Sequence, residues 1–264
     1  DFLNRADVND EFLRKRKLRQ RKIRRRRIIT ALVFFGILLI AVGVILSLTV
    51  LFPIEQIKVS GSEKYTADEV AAACGIKTGD NLFMSSADEE ELKEKLPYIE
   101  SVSVSRKLPS TLIIKVKDAS EYACFYTGGK YYAVSEKWQV LNAYDQKPDG
   151  IFEIKAGDVE CVPGKNVVFS EEKSGTLIND IISLAGEYSL KIDGIDITEE
   201  LSLTVGVDGR FTVNFGTSNN LSEKFAHLTG MIKNIDEGKS GKIDLSMWTS
   251  SNTHGTFVEN KDTE

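Results

Sequence analysis

The longest apolar segment of the chain is residues 28–52, which contains no charged side chain. At about 1.5 Å rise per residue, a helix over this segment is roughly 37 Å long, enough to cross a hydrocarbon core of about 30 Å. Soluble domains do not need an apolar run of this length. The pattern therefore predicts one transmembrane helix over 28–52, ended by Pro53.

Residues 53–118 change to short periodic segments. Ile57 and Val59 share one face of a predicted strand, and two capping boxes, Thr66–Glu69 and Ser86–Glu89, predict the starts of two helices. Strict alternation over 101–105 and again over 112–116 predicts two further strands. The element order is therefore β-α-α-β-β.

Residues 119–258 are predicted to form a mostly antiparallel β domain. Gly128-Gly129 and Asp208-Gly209 each stand between alternating segments, the pattern of two-residue hairpin turns. Strand-like pieces also occur at 138–141, 151–154, 167–169 and 195–197. The last strands are predicted at Lys242–Leu245 and Thr256–Val258.

Two helices interrupt these strands. The first is predicted over Thr176–Tyr188, with Leu177, Ile181 and Leu184 on one face and Ile178, Ile182 and Ala185 beside them. The second is predicted over Ser222–Ile235, and its inward positions are Phe225, Leu228, Ile232 and Ile235.

The fold class is α+β, in five segments. They are a basic cytoplasmic tail (1–27), the transmembrane helix (28–52), the β-α-α-β-β domain (53–118), the β domain (119–258) and a disordered tail (259–264).

Charge gives the membrane segment a direction. Residues 1–27 carry twelve Lys/Arg and four Asp/Glu, a net charge of +8; since the whole chain is −5, residues 28–264 carry −13. Lys and Arg resist translocation, so the N-terminus is predicted to be cytoplasmic and the C-terminal domains outside. The basic run has three alternative functions: binding to nucleic acid, a nuclear address and recognition of an anionic lipid. A topology signal is favoured over these, because the run directly abuts the apolar segment. A cleaved signal peptide is disfavoured because its apolar core is typically about 7–15 residues.

The β-α-α-β-β segment resembles a POTRA domain, through G-x-K-x-G-x-N-L-F between the helices and R-x-x-P before the last strand. After a basic tail and one membrane helix, this is similar to the bacterial division family FtsQ/DivIB. Members of the family commonly follow the last POTRA strand with an acidic-basic pair and a proline. The corresponding segment here, Asp118-Ala-Ser-Glu121, departs from that pattern. The residues that carry the resemblance are Phe52, Ile57, Val59, Gly61, Gly75, Gly79, Asn81, Leu82, Phe83, Pro97, Val102, Val104, Arg106, Pro109 and Val116.

The resemblance implies a scaffold that binds the bitopic division proteins FtsL and FtsB/DivIC and recruits septal peptidoglycan synthesis enzymes. It implies a location in the cell membrane at the septum, and a partner strand that pairs with the C-terminal edge of the β domain. Ile243-Asp244-Leu245 stands where the family has its late strand, although Ser246 replaces the usual Arg. The edge candidates are Met247, Trp248, Thr256, Phe257 and Val258. Of these, an exposed Trp248 is the expected energetic anchor.

No catalytic, cofactor or metal motif accompanies these features, so the chain is predicted not to be an enzyme. His227 and His254 have no motif partner, and Cys74, Cys124 and Cys161 are expected to be mostly buried thiols. A membrane-anchored enzyme with a cysteine nucleophile is one alternative; a sensor with a ligand-sized pocket in the β domain is the other. Tyrosines around the Gly128-Gly129 turn are interpreted as cross-strand pairs, with a binding surface left open for the outward rings.

Overall fold

A computed structural model describes residues 26–44, 52–249, 252 and 254–260. Contacts divide the chain into two compact units. One contains the residues before Lys58 together with Lys77–Ser85 and Arg106–Leu112. The other contains Lys58–Ile76, Ser86–Ser105 and the chain from Ile113 onward.

Helix α1, Arg26–Val44, is the candidate membrane span, and its 19 residues are long and apolar enough to cross a bilayer. It begins two residues before the predicted start. The predicted basic tail up to residue 25 and the end of the predicted span, residues 45–51, lie outside the described residues. Phe52 is not helical, so the helix ends before it.

The next five elements confirm the predicted order β-α-α-β-β. They are β1 (Gln56–Ser60), α2 (Ala67–Ala73), α3 (Glu89–Lys95), β2 (Ile99–Lys107) and β3 (Thr111–Asp118). The strands form a three-stranded sheet in the order β1-β3-β2. The alternation of Leu112, Ile114 and Val116 buries all three side chains, as the pattern predicted.

One of the two predicted capping boxes is present. The Thr66 N–H donates to Glu69 Oε2 at 2.8 Å, and the Glu69 N–H donates back to Thr66 Oγ1 at 3.3 Å. The box predicted at Ser86 is wrong: α3 is capped by Asp88, whose Oδ1 accepts from the N–H groups of Glu90 and Glu91. Asp is itself among the strongest N-cap residues, so the helix starts where its carboxylate satisfies two free donors.

The remaining strands build a nine-stranded sheet and a small two-stranded one. The large sheet has the order β14-β13-β12-β11-β10-β7-β4-β5-β6, and β8 pairs with β9. Most neighbours are antiparallel, but β4–β7, β7–β10 and β12–β13 are parallel. The strands are β4 (Ala123–Thr127), β5 (Lys130–Val134), β6 (Val140–Tyr144), β7 (Phe152–Lys155), β8 (Val159–Glu160), β9 (Val168–Phe169), β10 (Ile192–Asp196), β11 (Leu203–Val207), β12 (Phe211–Gly216), β13 (Gly241–Asp244) and β14 (Thr256–Glu259).

Both predicted hairpins are confirmed. Gly128 and Gly129 join β4 to β5 as a two-residue turn, and both have positive φ, as a type I′ turn requires. Asp208, Gly209 and Arg210 join β11 to β12, so this loop has three residues, of which Asp208 and Gly209 have positive φ.

Two helices accompany the large sheet. Helix α4 (Glu172–Glu187) starts four residues before its predicted start, and its fully buried face is Ile178, Ile181 and Ala185. The prediction is confirmed at Ile181 and at the neighbouring Ile178 and Ala185. Leu177, Ile182 and Leu184 are half-buried at the margins of this face. Helix α5 (Leu221–Lys233) buries Phe225 and Leu228, as predicted, whereas Ile232 and Ile235 are half-buried.

The disordered tail predicted from residue 259 starts too early. Glu259 belongs to β14 and lies opposite Gly241, and the Asn260 N–H donates to the Ser240 carbonyl at 2.9 Å. The strand continues because its main-chain groups find partners on β13, whatever the polarity of the side chains. Residues 261–264 lie outside the described residues.

An ion-pair triad joins β2 to later parts of the chain. Lys117 Nζ and Lys137 Nζ each lie 2.6 Å from an oxygen of Glu100. Their hydrogen bonds and charges hold the pKa of Glu100 below its ordinary value. The carboxylate therefore contributes stability above the unfolded pKa of about 4.3 and loses it as pH falls through the lower folded pKa.

We predict that Glu100→Gln flattens the loss of stability on acidification. The wild-type protein should lose more free energy of unfolding than the variant when urea denaturation at neutral pH is compared with denaturation well below pH 4.3, the approximate unfolded pKa. Glu94→Gln is the matched control, because the Glu94–Lys165 pair is half exposed on both sides. Equal acid sensitivity of the Glu100 variant and the wild-type protein would contradict this role for Glu100.

Candidate functional site

Strand β14 forms one end of the nine-stranded sheet. It pairs antiparallel with β13, with Phe257 opposite Ile243 and Val258 opposite Lys242. No described strand pairs with its other side. An unpaired strand side offers a row of N–H and C=O groups to another chain.

The ladder between β13 and β14 determines which main-chain groups face outward. The Asn260 N–H bonds to the Ser240 carbonyl, and bonded pairs alternate with non-bonded pairs in an antiparallel ladder. Val258 is therefore bonded to β13, whereas Phe257 and Glu259 are not. The N–H and C=O groups of Phe257 and Glu259 point to the open side.

The side chains of β14 alternate between two environments. The Phe257 ring packs edge-on against Phe211 at a centroid distance of 6.0 Å and lies against the hydrophobic core. Thr256 and Val258 point to the opposite face, where both are exposed, Val258 to 64%. The strand thus offers an exposed apolar side chain between two outward-facing main-chain positions. We call Thr256–Glu259 the open edge.

A glycine allows β14 to approach β13 closely. A β-carbon at Gly241 would overlap the Val258 carbonyl oxygen and lie 2.8 Å from a ring carbon of Phe257. Any other residue at this position would push β14 away or turn the Phe257 ring out of the core. Gly241 therefore sets the position of the open edge.

Charged groups surround the edge with both signs. Lys239 Nζ lies 3.4 Å from the Asp236 carboxylate and 3.7 Å from that of Glu259. Lys242 and Asp244 on β13 are exposed. Exposed pairs of this kind contribute about 0–1 kcal/mol to stability.

The structure separates the five residues predicted for this site. Thr256, Phe257 and Val258 come together on β14, whereas Met247 and Trp248 lie in the segment before it. Met247 is 75% exposed. The expectation of an exposed Trp248 is wrong.

Trp248 is only 7% exposed and belongs to the hydrophobic core. Its ring lies 6.2 Å from that of His227 on α5, and its indole nitrogen makes no hydrogen bond among the described residues. The large apolar ring is withdrawn from water, so it is not available as an interface anchor.

Glu259 is the edge residue that sequence reasoning missed. It was assigned to the tail because the residues that follow it are polar. No local pattern of apolar and polar residues identifies it, because Glu259 is charged and its place in β14 depends on its pairing with Gly241.

The cysteines do not form a nucleophilic site. All three are free thiols, and Cys124 and Cys161 are buried. Burial raises the pKa of Cys124 to about 11 and that of Cys161 to about 12. The half-buried Cys74 also has a raised pKa, chiefly through desolvation. Because the thiolate is the nucleophile, these environments disfavour cysteine catalysis at neutral pH.

A groove of about 670 Å³ lies beside the end of α4 and the start of β7, lined in part by Tyr122, Phe152, Ile182 and Asp193. This volume is in the range of small-molecule sites. However, none of its polar lining residues is buried, whereas such sites place a few polar groups inside an apolar pocket. No cluster of three metal-ligating side chains occurs among the described residues.

The outward tyrosines form the cross-strand pair that the hairpin predicted. Tyr126 lies opposite Tyr131 with ring centroids 4.8 Å apart, while Phe125 is fully buried. Tyr126 is 53% exposed, so one ring of the pair faces water.

Comparison with known proteins adds the family context. A family model described as "POTRA domain, FtsQ-type" matches residues 52–118. The chain is 32% identical over 205 residues to cell division protein DivIB of Clostridium acetobutylicum, covering 74% of this chain and 80% of that protein. It is 25% identical over 233 residues to cell division protein FtsQ of Streptomyces venezuelae, covering 85% of this chain and 83% of that protein. FtsQ of Corynebacterium glutamicum is 23% identical over 204 residues, 75% of this chain and 86% of that protein.

Proposed function

The chain belongs to the FtsQ/DivIB family of bacterial cell division proteins, and we propose that it acts in division as a non-enzymatic scaffold. In this role it binds FtsL and an FtsB/DivIC-like protein and helps recruit and regulate septal peptidoglycan synthesis enzymes. A scaffold acts by binding its partners and not by catalysis. The protein therefore needs a surface that a partner can bind, and it needs no reactive group.

The open edge is the observation that carries the proposal. A partner strand that adds to β14 can bond to the outward main-chain groups of Phe257 and Glu259. Main-chain bonds supply affinity in such strand addition, and alternate side chains supply specificity. The exposed Val258 takes the place of Trp248 as the apolar contact, and Met247 lies on the segment that leads to β14.

Membrane attachment is the second part of the proposal. Helix α1 spans the cell membrane once, with the basic tail (1–27) in the cytoplasm, because Lys and Arg are retained on that side. The POTRA domain (53–118) and the β domain (119–258) then lie outside the cytoplasmic membrane, at the division septum. The net charge of −13 on residues 28–264 is consistent with export.

Glu259→Pro tests the edge directly. Proline removes the outward N–H of residue 259 and leaves the ladder to β13 intact, because proline is tolerated on edge strands. A partner carbonyl left without its donor loses about 1–3 kcal/mol, so affinity should fall on the order of 10- to 100-fold. The measurement is titration of the full-length protein in detergent with the extracytoplasmic part of the FtsB/DivIC-like partner.

Glu259→Ala is the control, since it removes the same carboxylate and retains the N–H. It should change the affinity by no more than about the worth of an exposed ion pair, below 1 kcal/mol. Phe257→Asp is a poorer test, because Phe257 packs on Phe211 and its loss would also weaken the domain. Equal binding by the proline variant and the wild-type protein would refute strand addition at β14.

A further inference from the structure

Four apolar side chains of the POTRA domain belong to the same compact unit of the chain, which includes Phe52, Lys77–Ser85 and Arg106–Leu112. Phe83, Met84 and Leu108 are 41%, 73% and 61% exposed. Phe52 packs edge-on against Phe83 at a centroid distance of 5.2 Å. We call Phe52, Phe83, Met84 and Leu108 the apolar tip. Phe83, Met84 and Leu108 therefore leave much of their apolar surface in contact with water instead of burying it in the domain.

The backbone under the tip is held by specific hydrogen bonds. The Asn81 side-chain oxygen accepts from the N–H groups of Phe83 and Met84 at 2.9 and 3.0 Å. Arg106 donates to the Leu82 carbonyl at 2.7 Å and to the Ser85 carbonyl at 2.8 Å. The loop that presents Phe83 and Met84 is therefore ordered, and it keeps both side chains outward.

The chain places this loop next to the membrane segment. The Leu82 N–H donates to the Phe52 carbonyl at 2.9 Å, and Pro53 pairs with Asn81. Phe52 is the last residue of the uncharged run 28–52. Helix α1 has 19 residues up to Val44, about the number needed to cross a core of about 30 Å, so Phe52 follows the point where the chain leaves the hydrocarbon core.

We infer that the apolar tip is a membrane-contacting surface that inserts Phe83, Met84 and Leu108 into the headgroup–acyl boundary of the outer leaflet. Aromatic side chains favour this boundary, and interfacial apolar groups are buried there by roughly 5–10 Å. Lys107, next to Leu108, is exposed; its stem can lie along apolar surface while its ammonium reaches a lipid phosphate. The inference goes beyond partner binding and rests only on the membrane attachment proposed above.

Fluorescence quenching in vesicles tests the tip. The full-length protein, with Cys74→Ser to remove the partly exposed thiol, carries either Met84→Cys or Met247→Cys labelled with an environment-sensitive dye. The two methionines are matched, at 73% and 75% exposure. The vesicles contain phosphatidylcholine and phosphatidylglycerol whose acyl chains are brominated near the glycerol.

The label at residue 84 should shift to shorter emission wavelength and lose most of its intensity in brominated vesicles, while the label at residue 247 should change little. If the protein floats with the vesicles but the label at residue 84 stays exposed to water, the inference is overturned while the membrane attachment stands. The apolar tip would then be a contact surface for a protein partner. Equal quenching at both positions would also overturn it, since contact would then be unspecific. A protein that does not float with the vesicles would refute the membrane attachment and the inference together.

Discussion

Alanine in place of Leu228 is expected to lower the free energy of unfolding by about 2–5 kcal/mol, the range for deleting a fully buried leucine side chain. Leu228 has no exposed surface and lies on α5 in the core cluster that also contains Ile243, Leu245 and Trp248. Neighbouring side chains can fill the resulting cavity only in part, so lost contacts add to the lost transfer free energy.

Urea denaturation monitored by tryptophan fluorescence measures this effect. The two tryptophans of the chain are Trp138 and Trp248, so the signal reports on the β domain. Leu201→Ala is the matched control, because Leu201 is 75% exposed in the same domain. Its effect should lie within about 0.5 kcal/mol, and an equally small effect of Leu228→Ala would contradict the placement of α5 over the core.

The consequence for function follows by mass action. Ile243 and Leu245 share the core cluster with Leu228. Ile243 lies on β13, the strand that supports the open edge, and Leu245 directly follows this strand. A partner that binds only the folded domain binds in proportion to the folded fraction. Partner binding by Leu228→Ala should therefore fail at temperatures where the wild-type protein still binds.

Local signals explain why much of the fold could be predicted. The Thr66–Glu69 box, the Asp208-Gly209 turn and the alternation over β11 and β12 each depend on residues a few positions apart. The helical period of α5 identified Phe225 and Leu228 for the same reason. Sequence spacing is sufficient wherever the structure is determined by neighbours along the chain.

Long-range contacts explain what could not be predicted. The parallel pairs β4–β7 and β7–β10 depend on segments that are far apart in the sequence, and no local pattern specifies which strands meet. The burial of Trp248 depends on its packing near His227 of α5, which no local pattern indicates. The resemblance to the family implies the edge, whereas the outward main-chain groups of the edge depend on the register with β13.

Lys224 shows the same limit on α5 itself. A lysine one position before Phe225 is expected at the helix surface, yet Lys224 is only 2% exposed. Its ammonium donates to the Phe215 carbonyl at 2.6 Å and to the Thr217 carbonyl at 3.0 Å. Phe215 lies near the end of β12 and Thr217 directly follows this strand, so the lysine joins α5 to the strand that pairs with β13.

Lys224→Met is expected to lower the free energy of unfolding by about 2–4 kcal/mol. Methionine has a similar length but no donor, and each buried carbonyl left without a partner costs about 1–3 kcal/mol. Removal of the buried charge is stabilising by itself, because an ammonium loses its hydration when it is buried. We expect the loss to dominate, since the lysine satisfies two acceptors at once. Lys233→Met on the exposed side of α5 is the control and should have little effect.

The pH dependence separates the ammonium from simple packing. Burial lowers the pKa of Lys224 below its ordinary value, which is about 10.4 in an unfolded chain. Between the two pKa values the unfolded state binds more protons than the folded state, so this residue makes the wild-type protein more stable as pH rises. The stability gap between wild type and Lys224→Met, measured by urea denaturation from neutral pH upward, should therefore widen toward the unfolded pKa. A constant gap would contradict the lowered pKa, and a narrowing gap would show that the two carbonyl acceptors raise the pKa of Lys224 instead.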